Sequence, residues 1–254
     1  MEAKNIDLRG FKFIETADGS LTLYNPIFDE TYHSKTAGAV RESLEKFVYP
    51  SLILEKAKSQ KSIVILEVGF GLGYNAAVAI TELLKVNPNL KITYWGLDLI
   101  VNPLIEKLSL PQPYGEIYEL LKHRLLKEKK LQFSEGNLEF NLILGDATKT
   151  IKGLNIKADA IFHDAFSPQK NPQLWSLEFF KEEKRNIKPE GFWVSFSVAK
   201  KVRQNLLKLG FKLFNVKPVG RRAPSTAASL NPPERLNEYL TPLEEKELKK
   251  LLKG

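Results

Sequence analysis

The chain has 254 residues, 43% of them apolar and 27% charged, which is the composition of an ordinary folded domain. This composition excludes a disordered or collagen-like chain, and the absence of cysteine excludes disulfides, cysteine nucleophiles and cysteine-ligated metals. Three scattered histidines indicate no metal centre. The start of the chain is charged, unlike a secretory signal, and the most apolar stretch, residues 62–80, is interrupted by Glu67, Asn75 and glycines. We therefore expect no membrane association and a cytoplasmic location.

The positive charge is concentrated in one stretch. The net charge is +8, yet residues 184–222 hold eleven basic side chains and one acidic side chain. Such a basic excess favours a polyanionic partner such as a nucleic acid. The alternative is a lysine-rich surface kept for solubility.

The first sixty residues predict an extension in front of the main domain. Residues 12–15 and 21–24 alternate around an Asp18-Gly19 turn, which predicts a hairpin. A loop follows that carries an aromatic and polar cluster, Phe28, Asp29, Tyr32 and His33. The next segment predicts a helix, because apolar residues recur every three or four positions, at Val40, Leu44, Phe47 and Val48.

From residue 62 onward, strands alternate with helices. The predicted strands are 62–69, 91–98, 140–146, 158–164, 191–197, 211–218 and, near the end, 226–230. The predicted helices are 75–85, about 172–187 and 200–208. This alternation predicts a doubly wound α/β fold with a mostly parallel sheet. We divide the chain into an N-terminal extension (1–60), a main domain (61–230) and an appended amphipathic helix on its surface (231–254).

Three of these strands end in an acidic residue, at the edge where doubly wound sheets bind ligands. After the first strand, Glu67 precedes a loop with glycines at positions 69, 71 and 73, which lets a ligand approach the backbone. A dinucleotide fingerprint would require a further glycine where the chain has Tyr74. The pattern therefore favours another ligand, S-adenosylmethionine.

Each acid has a place in that interpretation. Glu67 would reach the amino group of the ligand directly or through water, Asp98 would accept the ribose hydroxyls, and Asp146 would accept the adenine amine. Any one of them alone is better explained as an ordinary strand-end or helix-cap residue, and it is the three together, in order along successive strands, that favour S-adenosylmethionine. The predicted cofactor-binding residues are Glu67, Gly69, Gly71, Gly73, Asn75, Asp98, Asp146 and Ala147.

The strand at 158–164 ends in Asp164, with Phe166 and Pro168 close behind. This is similar to amino-methyltransferases that end this strand in Asp-Pro-Pro-aromatic. There the acid, or a neighbouring carbonyl, accepts hydrogen bonds from the nitrogen to be methylated, and the ring lies against its base. We predict Asp164 as the catalytic residue and Phe166 as a stacking surface for a base. For Trp175 the sequence favours core packing over stacking.

Acid–base chemistry limits what Asp164 can do. A primary alkylamine has a pKa near ~10, so roughly one molecule in a thousand is neutral at pH 7. A carboxylate with a pKa near ~4 is a poor base for an ammonium group. We therefore expect Asp164 to orient the amine and stabilise the positive charge that develops on nitrogen, while water takes the proton.

Four segments, 26–42, 66–75, 163–180 and 195–211, resemble the methyltransferase domain of the bifunctional tRNA 5-methylaminomethyl-2-thiouridine biosynthesis protein family. The similarity runs from about residue 10 to residue 222. It implies a class I, Rossmann-like S-adenosylmethionine-dependent methyltransferase that N-methylates the 5-aminomethyl group of the wobble uridine in tRNA. The basic segment then becomes a contact for the anticodon arm. Its predicted RNA-binding residues are Lys200, Lys201, Arg203, Arg221 and Arg222.

The chain also departs from this family. It has His163 where the family usually has leucine, and Asp98 where the family has glutamate. We expect His163 to be packed and not to act as a base. The chain has no room for the flavin-dependent oxidase domain of the bifunctional proteins. We therefore expect a stand-alone methyltransferase that acts downstream of a separate wobble-uridine modification enzyme.

Three alternatives stay open at this stage. One is methylation of another amine, on a protein or a small molecule. Another is a non-catalytic RNA-binding or scaffold protein that has kept a methyltransferase fold. The last is a nicotinamide-dependent dehydrogenase, which Tyr74 and the absence of a credible hydride-transfer partner disfavour.

Overall fold

The protein is described from a computed structural model that defines residues 8–253. Residues 1–7, on which the expectation about a secretory signal depends, lie outside the described residues. The strands are β1 (Lys12–Glu15), β2 (Leu21–Asn25), β3 (Glu30–Thr31), β4 (Ser62–Val68), β5 (Lys91–Asp98), β6 (Gln132–Glu135), β7 (Leu138–Leu144), β8 (Ala158–His163), β9 (Ile187–Ser195), β10 (Lys212–Val216), β11 (Ser225–Ser229) and β12 (Leu240–Pro242).

The helices surround the larger sheet. They are α1 (Ala39–Glu42), α2 (Ile53–Ala57), α3 (Tyr74–Val86), α4 (Gly115–Lys122), α5 (Ala147–Thr150), α6 (Leu177–Asn186), α7 (Lys200–Lys208) and α8 (Glu245–Leu252). Wider π-helical turns extend α1 over Ser43–Val48 and α4 over His123–Lys127, and short 3-10 turns occur at Tyr49–Ser51, Pro103–Lys107, Ile151–Gly153 and Pro172–Trp175. No helix within residues 8–253 combines the length and the apolar run that crossing a bilayer requires.

Nine strands form the main sheet, in the order β12-β10-β11-β9-β8-β4-β5-β7-β6. The five central strands, from β9 to β7, are parallel, and the outer strands pair antiparallel. The chain builds outward from β4 through β5 to β7, and then returns to the other side of β4 with β8 and β9. The strand order therefore reverses between β4 and β8, and ligands of doubly wound sheets bind at such a point.

The sheet is buried on both faces. Along β4, Ile63 and Ile65 pack into the cluster beneath α3 and α4, whereas Leu66 and Val68 pack into the cluster beneath α5, α6 and α7. Side chains alternate between the faces of a strand, so a strand covered on both sides must be apolar throughout. This is why β4 reads as an unbroken apolar run ahead of Glu67.

The N-terminal extension forms its own three-stranded sheet, β1-β2-β3. The Tyr74 hydroxyl at the start of α3 donates to the carbonyl of Leu21, at 2.7 Å, which ties this sheet to α3. Asp18 in the hairpin turn also accepts from the backbone N–H of Arg41, at 3.0 Å, which ties the turn to α1. These bonds place residues 26–38 beside the switch point of the sheet.

The predicted strands between residues 62 and 230 are all present, and α7 spans the predicted residues 200–208. The predicted helix at 172–187 is divided into a 3-10 turn and α6, because Ser176 caps a new helix by accepting from the N–H of Phe179. Three short strands, β3, β6 and β12, are not predicted from the sequence. The last of these joins β10 within the main sheet, and α8 follows it. The division of the chain at residues 60 and 230 stays a prediction.

Candidate active site

The carboxyl ends of β4, β5 and β8 meet at the switch point. The backbone N–H of Asp164 donates to the carbonyl of Val68 at 2.9 Å, and the N–H of Gly69 donates to the carbonyl of Leu97 at 2.9 Å. These two bonds extend the parallel ladder into the loops beyond the strands. The glycine loop after β4 and the loop after β8 are therefore held against each other.

The conformation of the glycine loop requires residues without a side chain. Gly69 has φ +87°, and a Cβ atom there would lie 2.6 Å from the carbonyl oxygen of Asp164. Gly71 has φ +56°, and its Cβ would lie 3.1 Å from the ring of Tyr32. A side chain at Gly69 is thus disfavoured by both backbone conformation and space. The loop therefore packs closely against Tyr32 and the loop after β8, and the backbone at Gly69 and Gly71 stays partly exposed ahead of α3.

Asp98 ends β5 directly beside this loop. One of its carboxylate oxygens accepts from the N–H of Gly71 and the other from the N–H of Leu99, each at 2.7 Å. Burial raises the pKa of Asp98, and these backbone hydrogen bonds oppose the rise. The backbone N–H of Ile100 also contributes to lowering this pKa. A carboxylate offers about four acceptor positions, so Asp98 can still accept a hydrogen bond from a ligand hydroxyl.

Asp146 is exposed and caps α5. Its Oδ1 atom accepts from the N–H and the hydroxyl of Thr148, at 3.0 and 2.7 Å. The Thr148 hydrogen bond is the main cause that lowers the pKa of Asp146, so this carboxylate stays ionised. Its Oδ2 atom lies 3.7 Å from the exposed ammonium group of Lys149, which leaves room for a further donor. Ala147, the first residue of α5, is 8% exposed.

Glu67 is fully buried, and both of its carboxyl oxygens have partners within the protein. Asn75 Nδ2 donates to Oε1 at 2.9 Å, and the Tyr94 hydroxyl donates to Oε2 at 2.7 Å. Burial raises the pKa of Glu67 well above its usual range. The geometry thus does not support the expectation that Glu67 itself reaches the cofactor.

Asp164 lies half-buried at the end of β8, facing α3. Asn75 Nδ2 donates to its Oδ2 atom at 2.8 Å. Burial raises the pKa of Asp164 to about 6, which the charge of His33 and the bond from Asn75 partly oppose. This carboxyl group therefore titrates close to neutral pH. Such a shift within a cleft is typical of functional carboxylates.

Phe166 stacks on an aromatic residue from the N-terminal extension. Its ring centroid lies 4.2 Å from that of Phe28 with an interplanar angle of 14°, and 5.2 Å from the edge-on ring of Tyr32. Trp175 is buried, as the sequence favoured, and its Nε1 donates to the carbonyl of Phe166 at 2.8 Å. Trp175 therefore fixes the backbone that presents Phe166.

The extension is also tied to the loop after β8 by polar contacts. The backbone N–H of Ser167 donates to Glu30 Oε2 at 3.0 Å, its hydroxyl contacts the other oxygen of Glu30, and Lys170 pairs with Asp29 at 3.3 Å. The sequence analysis assigned no role to the aromatic and polar cluster of residues 28–33. Its composition was the available signal, because aromatic and charged residues concentrated in one loop are typical of a site.

A buried charge cluster lies on the same side of the cleft. His33 stacks on Tyr74 with centroids 5.0 Å apart, and its Nδ1 lies 3.6 Å from Glu42. Burial opposes ionisation of Glu42, but His33 and the buried Lys46 outweigh it and lower the pKa of Glu42 to about 2. The cluster acts on Asp164 with both signs, since His33 and Lys46 lower its pKa and Glu42 raises it.

His163 points away from the cleft, into the apolar cluster beneath α5, α6 and α7. It is fully buried, its Nδ1 lies 2.7 Å from Glu183, and Trp193 Nε1 donates to the same carboxylate at 2.9 Å. The rings of Trp175 and Phe180 pack edge-on against it. His163 is therefore a packed residue, as expected from the sequence, although it directly precedes Asp164.

The basic residues of segment 184–222 divide between the two edges of the sheet, because β9, α7 and β10 cross from one edge to the other. Those at the carboxyl edge, where the cleft opens, are Lys200, Lys201, Lys217, Arg221 and Arg222. Those at the opposite edge are Lys184, Arg185, Lys188, Lys208 and Lys212. The segment is continuous in sequence but does not form one surface.

Arg203 belongs to neither edge. It is only 7% exposed, its Nε donates to Thr226 Oγ1 at 2.9 Å, and one terminal nitrogen donates to Asn215 Oδ1 at 2.8 Å. Its guanidinium ties α7 to β10 and β11 and does not face solvent. We therefore correct the expectation for Arg203 and exclude it from the RNA-contact surface.

The residues at the carboxyl edge fit an adenosine ligand that carries a cationic sulfur. Gly69 and Gly71 keep part of the loop backbone exposed, and Asp98 and Asp146 offer acceptors for ribose and adenine on successive strands. Two nearby carboxylates also make the pocket electronegative, which suits a sulfonium. Within residues 8–253, no cluster of histidines and carboxylates is arranged to hold a metal ion.

Several known proteins are similar to this chain in sequence, and one of them also in fold. Residues 113–231 match the sequence profile of a family described as S-adenosyl-L-methionine-dependent methyltransferase. The crystal structure of MNMC2 from Aquifex aeolicus is 47% identical and superposes with a TM-score of 0.85, over 95% of this chain and 75% of that chain. An uncharacterized protein of Methanocaldococcus jannaschii is 33% identical over 232 residues, which are 89% of this chain and 62% of the relative.

A more distant relative is the tRNA 5-methylaminomethyl-2-thiouridine biosynthesis bifunctional protein MnmC of Paraburkholderia phymatum. It is 26% identical over 233 residues, which cover 87% of this chain and 35% of the relative. The chain thus spans about a third of the length of this bifunctional protein.

These matches confirm the predicted class I, Rossmann-like fold and S-adenosylmethionine as the cofactor. They also confirm the resemblance to the MnmC proteins on which the sequence analysis relied. The chain belongs to the family of S-adenosyl-L-methionine-dependent methyltransferases that includes MNMC2 from Aquifex aeolicus.

Proposed function

We propose that the protein N-methylates the 5-aminomethyl group of uridine, with or without a 2-thio group, at the wobble position of tRNA. The observation that carries this proposal is the position of Asp164. Its carboxyl group lies half-buried against the cofactor-binding glycine loop, with the aromatic ring of Phe166 two residues away. The name of the related MnmC protein points to the same modified nucleoside.

Asp164 would hold the amine while the methyl group moves to it. When bound, adenosylmethionine supplies a methyl group already activated by a positively charged sulfur. The ionised Asp164 accepts hydrogen bonds from the amine, aligns its lone pair, and stabilises the positive charge that develops on nitrogen. Even with a pKa of about 6, Asp164 is a poor base for an alkylammonium group, so water takes the proton.

The aromatic pair at the mouth of the cleft gives the base a platform. Phe28 and Phe166 are both half-buried and stack with 4.2 Å between centroids. Stacking of a nucleobase on an aromatic ring contributes about 1–3 kcal/mol. We assign the substrate uridine to this platform, with its 5-substituent directed toward Asp164.

The tRNA backbone would contact the basic residues at the carboxyl edge. Arg221 and Arg222 lie in the loop between β10 and β11, and Thr36 of the extension donates to the carbonyl of Gly220 in that loop, at 2.6 Å. Lys201 is exposed at the start of α7, whereas Lys200 donates to the carbonyl of Lys253, at 3.1 Å. Lys201 and Arg222 are therefore the clearest phosphate-binding candidates.

Charge reversal at the two edges of the sheet tests this surface. The double variant Lys201→Glu/Arg222→Glu should weaken tRNA binding and reduce the slope of log K against log salt by about 1.5, since each phosphate contact contributes roughly 0.7–0.9. The matched control, Lys208→Glu/Lys212→Glu, changes the charge equally at the opposite edge and should leave the slope unchanged. Equal effects of the two double variants would mean that only net charge matters.

The proposed reaction is tested directly with labelled adenosylmethionine. Purified protein is incubated with tRNA that carries 5-aminomethyluridine derivatives at the wobble position, and the nucleosides are separated afterwards. We expect label in the 5-methylaminomethyl nucleoside and none in tRNA whose wobble uridine lacks the aminomethyl group. Cofactor binding without label in tRNA would favour a different amine substrate.

A further inference from the structure

We propose that Asn75 is a positioning residue for Asp164, held in place by Glu67 and Tyr94, and that it does not act as a cofactor ligand. This inference rests on the proposed function, because it concerns how the amine-holding carboxylate is oriented. From the sequence, both Glu67 and Asn75 are expected on the cofactor side. Their hydrogen bonds connect them to the acceptor side.

The hydrogen bonds form one continuous chain across the switch point. The Tyr94 hydroxyl on β5 donates to Glu67 at the end of β4, at 2.7 Å. Asn75, in the first turn of α3, donates from Nδ2 to Glu67 at 2.9 Å and to Asp164 at 2.8 Å. An amide nitrogen carries two hydrogens, so the two bonds use its full donor capacity. Asn75 therefore joins two carboxyl groups from neighbouring strands.

The orientation of the Asn75 amide follows from these partners. The Oε1 atom of Glu67 and the Oδ2 atom of Asp164 both accept here, and only Nδ2 can supply two hydrogens. The Tyr94 hydroxyl already donates to Oε2 of Glu67, so Oε1 of Glu67 is the oxygen that accepts from Asn75 Nδ2. This bond fixes the position of the amide nitrogen. The Asn75 side chain is 2% exposed, and its Oδ1 atom has no hydrogen-bond partner among the described residues. A buried acceptor left unpaired is costly, so Asn75 gives up one bond to supply two donors to carboxyl groups.

The consequence for Asp164 is geometric. Its backbone is fixed by the bond to Val68, and its Oδ2 is fixed by Asn75. The carboxyl plane is then set, which leaves Oδ1 as the oxygen free to accept from the substrate amine. Without Asn75, the side chain of Asp164 could rotate about its Cα–Cβ and Cβ–Cγ bonds. Loss of alignment by about 1 Å can reduce turnover by about 10²-fold.

Other charged groups also act on Asp164, and of these Glu67 is the one that loses a hydrogen bond when Asn75 is replaced. They are His33, Glu42 and Lys46 on the extension and α1, together with Glu67 on β4. Asn75 is the hydrogen-bond donor among these neighbours, and its bond favours the ionised form of Asp164. Its removal should therefore raise the pH at which Asp164 ionises.

The experiment measures kcat/KM against pH for wild type and Asn75→Ala. Below the pKa of Asp164, both Asp164 and the substrate amine must lose a proton, so log kcat/KM should rise with pH with a slope of two. Above the pKa of Asp164, only the amine must lose a proton, so the slope should fall to one. We expect the break between the two slopes to lie near pH 6 in the wild type and about one pH unit higher in Asn75→Ala. Affinity for adenosylmethionine, measured by calorimetry, should change by less than about threefold.

Two further variants separate positioning from packing. Asn75→Asp keeps the shape but removes both donors, so it should lose at least as much activity as Asn75→Ala. Asn186→Ala removes a similarly buried amide, with bonds to Ile156 and Glu182, at the opposite edge of the sheet. It should lower thermal stability without moving the break in the profile.

The outcomes distinguish this inference from the proposed function. An unmoved break in Asn75→Ala, or a tenfold or larger loss of cofactor affinity, would overturn the positioning role even if tRNA is methylated. If the wild type methylates no tRNA, the proposed function fails. The pH titration of the Asp164 carboxyl carbon by NMR, assigned with Asp164→Asn, would then still decide whether Asn75 controls it.

Discussion

Replacing Asp164 with asparagine should reduce methyl transfer by at least about 10²-fold and leave affinity for adenosylmethionine within about threefold. The reason is that Asp164 faces the acceptor side, while the glycine loop and Asp98 form the cofactor side. Asparagine keeps an oxygen for Asn75 but cannot carry the negative charge that stabilises the methylated nitrogen. Single-turnover rates with modified tRNA, together with calorimetry, measure both quantities. A loss of cofactor binding would show that Asp164 helps to bind adenosylmethionine, which contradicts its assignment to the acceptor side.

The same variant should be more stable than the wild type at high pH. Burial raises the pKa of Asp164 from 3.8 to about 6 in the folded protein, so an ionised carboxyl disfavours folding above that pH. Below about pH 4 the group is protonated in both states, and the difference vanishes. We expect the Tm of Asp164→Asn to exceed that of the wild type by about 2–4 °C at pH 8 and to equal it at pH 4.

Asp159→Asn provides the matched control on the same strand. Asp159 is a buried carboxylate near the start of β8, where it accepts from the N–H of Val64 and pairs with Lys188 at 2.8 Å. Its replacement should lower the Tm and leave turnover per folded molecule unchanged. The two variants are therefore expected to have opposite effects on stability and activity. Similar effects would mean that Asp164, too, is a structural residue.

Gly69→Ala should impair both cofactor binding and turnover. The new methyl group would lie 2.6 Å from the carbonyl oxygen of Asp164, and the backbone at φ +87° disfavours any side chain. The glycine loop and the loop after β8 must then separate, which moves Asp164 relative to the cofactor. We expect turnover to fall by about 10²-fold, because misplacement by about 1 Å has that effect.

Gly210→Ala is the matched control, because it introduces the same backbone strain as Gly69→Ala without the clash. Gly210 has φ +85°, almost the same as Gly69, but a Cβ atom there meets nothing within 4 Å. Both variants should therefore lose about 1 kcal/mol of stability from the left-handed backbone, whereas only Gly69→Ala should lose activity. Thermal denaturation and steady-state kinetics of both variants check this. Normal activity of Gly69→Ala would show that the two loops are not coupled.

Much of the site could be predicted from the residues. Strand ends are marked locally, by an apolar run followed by an acid, so Asp98, Asp146 and Asp164 were assigned to one sheet edge without coordinates. Four segments also resemble a known family, which implied the class I methyltransferase fold. Short edge strands such as β12 were missed because three residues ending in Pro242 carry no periodic signal.

The roles of individual side chains were harder to predict. Arg203 lies within a basic stretch of sequence, yet its position on α7 faces β10 and β11, where its guanidinium is buried. Asn75 and Asp164 are 89 residues apart, and no local pattern indicates that they share a hydrogen bond. Likewise, the contact between Phe28 and Phe166 joins the extension to the loop after β8.

The sequence by itself determined the fold class, the cofactor and the edge of the sheet where the chemistry lies, because periodicity and strand-end residues are encoded locally. Only the tertiary structure decided which of the marked residues face the cleft, which face the core, and which hold one another. Those outcomes depend on the direction in which each strand and helix crosses the sheet. A basic segment that is continuous in sequence is therefore divided between opposite edges, while Glu67, Asn75 and Asp164 are brought into one hydrogen-bonded chain.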